Sequence, residues 1–183
     1  YEEVTEMQGL AYYEDGSGKV KEATLDPKNV FQTKENRYWD VIKFAMPNLR
    51  KGCIIEYSYH LETPRRFNFK TWNFQDYIPK IYSEYEAHIP AVYDYNVSLR
   101  GPYPLTQTHS ELERECFSPG GGVKCDCSKI TYIMKDIPAF VPENYMTSSK
   151  NFMSAIYLEL SMYYNMETGT KMKLTKEWKD LYY

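Results

Sequence analysis

Long apolar runs are missing from this sequence: nothing approaches the roughly 18 consecutive apolar residues that carry a helix across a bilayer. A membrane-spanning helix is therefore not expected. Charge of one sign is missing too. With 22 basic against 25 acidic residues and a net charge of −3, no positive field gathers phosphates, and nucleic acid is not an expected partner. The opening residues Tyr1-Glu2-Glu3 are neither basic nor apolar enough for a signal peptide. The chain is read as a soluble fragment. Glycine (9) and proline (10) are scarce beside 19 tyrosines, in a chain of 183 residues that is 16% aromatic. Tyrosine fits pleated, half-buried sheets, and a 43% hydrophobic content is enough to bury a core. Composition leans towards β and away from a disordered tail.

Apolar residues recur at every second position, the pattern of a strand with one face on a core. From Ser154 to Tyr164, Ile156, Leu158, Leu160, Met162 and Tyr164 fall on one face and Glu159 and Ser161 on the other. Cys53, Ile55, Tyr57, Tyr59 and Leu61 alternate with Glu56, Ser58 and His60, and Ile81, Tyr85 and Ile89 alternate with Tyr82, Glu84, Glu86 and His88. Tyr93, Tyr95, Val97 and Leu99 make a further face. Strands are also expected at Tyr38 to Met46, Lys129 to Lys135, Leu10 to Tyr13 and Val20 to Thr24, the last two joined by the hairpin signal Asp15-Gly16-Ser17-Gly18. Turn chemistry separates them, as at Asp26-Pro27, Met46-Pro47-Asn48, Thr63-Pro64 and Gly101-Pro102-Tyr103-Pro104.

About eight short strands with regular turns predict an all-β fold, an antiparallel β-sandwich, counted as one domain over residues 1–174, with Gly101 to Pro104 as a corner between two sheets. Residues 175–183 read as a short C-terminal helix leading into a missing downstream domain. Thr175 is placed to cap it, and Trp178, Leu181 and Tyr182 make an apolar stripe for a domain interface.

Chemistry-bearing residues are sparse. Cys125-Asp126-Cys127 with Cys116 nearby suggests a thiolate metal site, but C-x-C is tighter than the usual ligand spacing and no histidine beyond His109 is close. A disulfide between Cys116 and either Cys125 or Cys127 across the Gly120-Gly121-Gly122 turn is the stronger expectation, with free thiols in a reducing compartment as the alternative. Cys53 reads as a small buried hydrophobe.

His60, His88 and His109 lie far apart, and neither Gly-x-Ser-x-Gly nor His-Glu-x-x-His occurs. Glu56, Glu84 and Glu86 could be posed as paired carboxylates, but a solvated strand face explains them more simply. No catalytic, cofactor-binding or metal-binding residue is assigned, and no cofactor is expected. Trp39, Trp72, Phe74 and Tyr82 form a candidate aromatic contact surface, weighed against a role in closing the ends of a core.

Several segments resemble a known family. Lys43 to Tyr59, KFAMPNLRKGCIIEYSY, then Trp72-Asn73-Phe74-Gln75, Ile78-Pro79, Tyr82-Ser83-Glu84-Tyr85-Glu86 and Ile137-Pro138-Ala139-Phe140 are similar to the domain of unknown function that precedes a transglutaminase-like domain in exported proteins of Bacteroidetes-type bacteria. The resemblance implies a mainly β accessory module, periplasmic or associated with the cell envelope, whose partner is the downstream domain of the same polypeptide. Another envelope protein or a glycan is a further partner to consider. Nothing in the chain matches the Cys-His-Asp triad of that downstream domain, so no catalytic residue carries over. The runner-up reading is a glycan- or peptide-binding module acting through exposed aromatics, and a hydrolase in its own right is a third.

Overall fold

The computed structural model describes residues 2–63, 69–120, 122–165 and 168–174. It is all-β, with every strand pairing antiparallel. The chain divides into two compact units, residues 1–64 and 65–183.

In the first unit, β1 (Glu3–Glu14) is the central strand, flanked by β2 (Val20–Thr24) and, after an intervening hairpin, β5 (Ile54–Glu62). The expected β1–β2 hairpin forms because Asp15 organises the turn. Its carboxylate accepts from the Ser17 N–H at 2.8 Å and the Lys19 N–H at 3.1 Å, while the Asp15 N–H donates to the Lys19 carbonyl at 2.8 Å. Those bonds hold the Asp15 carboxyl well below its ordinary range, the Ser17 hydroxyl contributing most and Lys21 adding to them.

The intervening hairpin is β3 (Val30–Lys34) and β4 (Asp40–Phe44). One face of β1 points inward: Ala11 and Gly9 are buried, as is Leu25 after β2. A Cβ on Gly9 would meet Met46 Sδ at 2.9 Å and Leu25 Cβ at 3.2 Å, so chain after β4 seats on β1 at its thinnest residue.

The same face continues onto β5, where Tyr59, Tyr57 and Ile55 lie opposite Met7, Gly9 and Ala11. There the expectation of a buried core strand fails. Ile55, Tyr57 and Tyr59 are 45%, 56% and 59% exposed, and Cys53 is only half-buried. The alternation gives β5 an apolar face, but β5 is an edge strand and little packs on that face. Phe44 reaches Tyr57, with ring centroids 5.4 Å apart.

The second unit contains two sheets. In one, β10 (Val123–Ile137) lies between β7 (Lys80–Pro90) and β9 (Gln107–Gly120). In the other, β11 (Ala155–Asn165) pairs with β8 (Tyr93–Arg100) along one side, while β6 (Trp72–Asn73) and β12 (Thr170–Lys173) occupy the two ends of its other side. Gly101 to Pro104 is where the chain leaves β8 in one sheet for β9 in the other. Residues of both sheets share one cluster: Ala87 and Ile89 of β7, Tyr132, Met134 and Ile137 of β10, Ile156 and Leu158 of β11, and Phe74 beyond β6.

In β11 the expected face holds through Ile156, Leu158 and Leu160, all buried, until a register shift between Leu160 and Met162 breaks the alternation. In β7 the inward face is Ser83, Tyr85, Ala87 and Ile89, whereas Ile81 stands exposed at the start of the strand.

A polar node sits at the edge of this core. Gln75 and Ser154, both buried, exchange bonds: the Gln75 N–H donates to the Ser154 carbonyl at 3.1 Å, and the Ser154 N–H to Gln75 Oε1 at 3.3 Å. Gln75 Nε2 donates to the Pro138 carbonyl at 3.2 Å, and the Tyr103 N–H to Ser154 Oγ at 3.1 Å. Buried polar groups are tolerated when each finds a partner, and this node ties together three loops. Gly101 makes the approach feasible: at φ +97°, its missing side chain leaves room for Ser154, whose Cα would lie 2.4 Å from a Cβ there.

The C-terminal helix expected over 175–183, with Trp178, Leu181 and Tyr182, lies outside the described residues.

Candidate functional site

The outward face of the β8–β11 pair carries an open groove of about 310 Å³. Pairing sets Arg100 opposite Ala155, Ser98 opposite Tyr157 and Asn96 opposite Glu159, so strand alternation sends Asn96, Ser98, Arg100, Tyr157 and Glu159 outward while the Ile156 and Leu158 side chains are buried in the core. Phe69 and Thr71, from the segment entering β6, and Leu158 of β11 complete the lining. The Arg100 guanidinium lies over the Tyr157 ring, 4.6 Å from its centroid, which holds both planes in place. Hydrogen-bond donors, an acceptor carboxylate and a flat ring within one shallow groove suit a polar ligand with apolar patches, such as a sugar ring or an extended peptide.

A second concentration of chemistry lies on the outward face of the β7–β10–β9 sheet. His88 stands between two carboxylates, with Nδ1 2.7 Å from Glu113 and Nε2 3.0 Å from Glu86. Both hold the imidazolium, Glu113 more strongly, so its pKa is raised above 6.5. Lys129 on β10 bridges Glu86 at 3.2 Å and Glu111 at 3.4 Å. Contact with His88 first, then Lys129, lowers the Glu86 carboxyl below 4.5. The two His88 nitrogens face opposite ways towards their acids, so His88, Glu86 and Glu113 do not converge on one point as metal ligands would. Further along β7, the Tyr82 hydroxyl donates to Glu84, which raises the phenol's pKa.

The cysteines resolve to one bridge. Cys116 is joined to Cys127 with Cα atoms 5.8 Å apart, and Cys125 and Cys53 are free. The pairing follows from a bulge: the register of β9 and β10 slips between Cys125 and Cys127, where Glu115 takes φ +52° and its N–H donates to the Asp126 carboxylate at 2.9 Å. Glu113 brings a carboxylate near both sulfurs, but bonded sulfurs have no thiolate to give a metal.

The four aromatic candidates separate. Trp39, 65% exposed, belongs to the first unit, in the turn between β3 and β4. In the second unit, Tyr82 stands exposed on β7 with Lys135 Nζ 5.8 Å from its ring centroid. Trp72 is partly exposed and stacks on Tyr85 at 5.7 Å, its indole N–H donating to Ser83 Oγ at 3.2 Å. Phe74 corrects the expectation: it is 0% exposed and lies in the central cluster, because β6 ends at Asn73 and the chain then turns inward to Gln75. Sequence reasoning passed over the groove residues Arg100 and Tyr157. Their signal was the polar half of the alternation in β8, Asn96-x-Ser98-x-Arg100, set against the well-marked apolar half.

The fold and these surfaces define an antiparallel all-β protein with two exposed, polar-decorated sheet faces and an open aromatic strand. Residues 11–118, more than half of the chain, match the family model of a domain of unknown function, DUF3857, and the chain belongs to that family. The match runs across the boundary between the two units and takes in β5, β7 and β8 whole. No curated protein and no solved structure gives a significant match.

Proposed function

We propose that the chain is a non-catalytic accessory module that contacts a transglutaminase-like or cysteine-peptidase-like domain following it in an exported bacterial polypeptide, in the periplasm or cell envelope. The observation that supports this most is the unroofed half of the first unit's core face, Ile55, Tyr57 and Tyr59 on β5. Contiguous exposed apolar surface marks interaction sites, and tyrosine gives contact area at low entropic cost. The shared cluster of the second unit supports a β-sandwich there.

The test is to titrate the separately expressed downstream domain against this chain and follow amide exchange. Protection of Tyr57 and Tyr59, with binding weakened about tenfold or more by Tyr57→Ser, is expected for a central aromatic contact. Binding that leaves β5 unprotected refutes the reading.

The groove favours a second reading, a glycan- or peptide-binding module. Ligand binding abolished by Tyr157→Ala, with β5 unaffected, would establish it instead.

A further inference from the structure

β5 is the outermost strand of its sheet, paired only with β1 among the described residues, and all of it except Leu61 is exposed. An edge of this kind presents a row of unpaired N–H and C=O groups, and proteins usually blunt it with charge, proline or bulges. The molecule applies that protection elsewhere. β9, the outer strand of its own sheet, carries Glu111, Glu113, Arg114 and Glu115 and is broken by a bulge. Over Ile54–Glu62 β5 has no proline, no lysine or arginine and no positive-φ residue, and its carboxylates are confined to Glu56 and the terminal Glu62.

What β5 has instead is near-palindromic sequence. In Ile54-Ile55-Glu56-Tyr57-Ser58-Tyr59-His60-Leu61-Glu62, an antiparallel copy centred on Ser58 sets Tyr57 opposite Tyr59, Glu56 opposite His60 and Ile55 opposite Leu61, with the unlike pair Ile54 and Glu62 falling only at the two ends. Aromatic meets aromatic, a carboxylate acceptor meets an imidazole, and aliphatic meets aliphatic, each twice about the two-fold axis. Such cross-strand pairs are the unit of sheet stabilisation. Neighbouring registers lose this match: centring on Tyr59 sets Glu56 against Glu62, and centring on Tyr57 leaves Glu56 facing Ser58. A two-fold axis normal to the sheet also keeps Ile55, Tyr57, Tyr59 and Leu61 on one face, so their open aromatic surface continues across both copies.

We propose that β5 is the seam of a homodimer, two copies pairing antiparallel through Ile54–Glu62 about Ser58. The seam uses the edge of the strand and the contact surface above uses its face, so this inference stands without that reading.

Sedimentation equilibrium and cysteine cross-linking on the 183-residue chain test it. A dimer mass is expected at about 100 µM protein, where even a micromolar seam is saturated. Ser58 is exposed, so Ser58→Cys leaves the fold undisturbed. In the proposed seam its two Cα atoms face each other across the axis at about 4.5–5.5 Å, inside the bridgeable range of about 4.4–6.8 Å.

Glu62→Cys, carrying the same native cysteines, sends its two new thiols to opposite ends of the seam. Under mild oxidation Ser58→Cys should form the covalent dimer about tenfold or more faster than Glu62→Cys, as proximity raises effective concentration, with the peptide containing position 58 linked to itself. A monomer at that concentration overturns the proposal, and so does a dimer in which Ser58→Cys cross-links no faster than Glu62→Cys.

Discussion

Replacing Gly101 with alanine should destabilise the second unit by about 2–5 kcal/mol, from two additive sources. The first is the backbone: φ is +97°, a region that costs an L-residue about 1–2 kcal/mol. The second is space. The new Cβ would lie 2.4 Å from Ser154 Cα, 2.5 Å from Ser154 N and 2.7 Å from the Met153 carbonyl carbon, all backbone atoms. No rotamer change relieves such a contact, so the 153–154 segment must retreat, at a cost typical of overpacking, about 1–3 kcal/mol. Retreat also stretches the Gln75 and Tyr103 bonds to Ser154.

Gly122 provides the control, at φ +75° with nothing within 4 Å of its Cβ position. Alanine there meets the backbone cost alone, partly offset by about 0.4–1 kcal/mol through a less flexible unfolded chain. Urea unfolding followed by tryptophan fluorescence should show a midpoint roughly 1–2.5 M lower for Gly101→Ala at a slope of about 2 kcal/mol/M, and a small change for Gly122→Ala. Equal shifts in the two variants would refute the close approach as the reason for glycine at 101.

Leu160→Ala should cost about 2–5 kcal/mol, as for buried aliphatic truncations, because Leu160 is buried ahead of the β11 bulge; an unchanged urea midpoint would contradict that register. Under oxidising conditions a non-reduced peptide map should link Cys116 to Cys127 and leave Cys53 and Cys125 alkylatable, and Cys116→Ala with Cys127→Ala should lower stability by about 2–3 kcal/mol for so short a loop. By NMR, His88 should titrate above 6.5 and fall towards that value in Glu113→Gln, its strongest partner. The sign follows: the stabilisation from His88 is fully present below pH 6.5 and is lost as pH rises through its raised value, while that from Glu86 is present above pH 4.5 and is lost as pH falls through its lowered one. A maximum between those two limits is expected for this network, and a His88 midpoint at or below 6.5 would contradict the geometry.

The legible parts of the fold were those where one short-range signal sufficed. Asp15-Gly16-Ser17-Gly18 announced its hairpin because the turn is built from those side chains alone, and Ile156, Leu158 and Leu160 announced β11 because both their neighbours and their roof are apolar. β9 was illegible for the opposite reason: most of Gln107–Gly120 is exposed, so no alternation is imposed on its Glu- and Arg-rich sequence, and backbone pairing to β10 alone makes it a strand. β5 misled in a third way. Its alternation is real, but alternation reports a face and says nothing of whether another element covers it, and Ile55, Tyr57 and Tyr59 stay exposed. Among the candidate residues, Phe74 and Trp72 are two positions apart, yet one lies in the core and the other at its rim, a distinction made by the turn into Gln75.

The dependence of β6, β8 and β12 on β11 has a consequence for biosynthesis. Strands β6 and β8 leave the ribosome early, but the strand that completes their ladders begins at Ala155, roughly 55 residues after Arg100. At about 5–20 residues per second, translation leaves them waiting for several seconds. During that interval Tyr93 and Tyr95, which pack against the core in the finished fold, stand unsheltered on a strand with a free edge on each side, the kind of nascent segment that holdase chaperones retain. Closure of this sheet is a late and non-local event, so refolding of the purified chain should be slow for its size and sensitive to protein concentration.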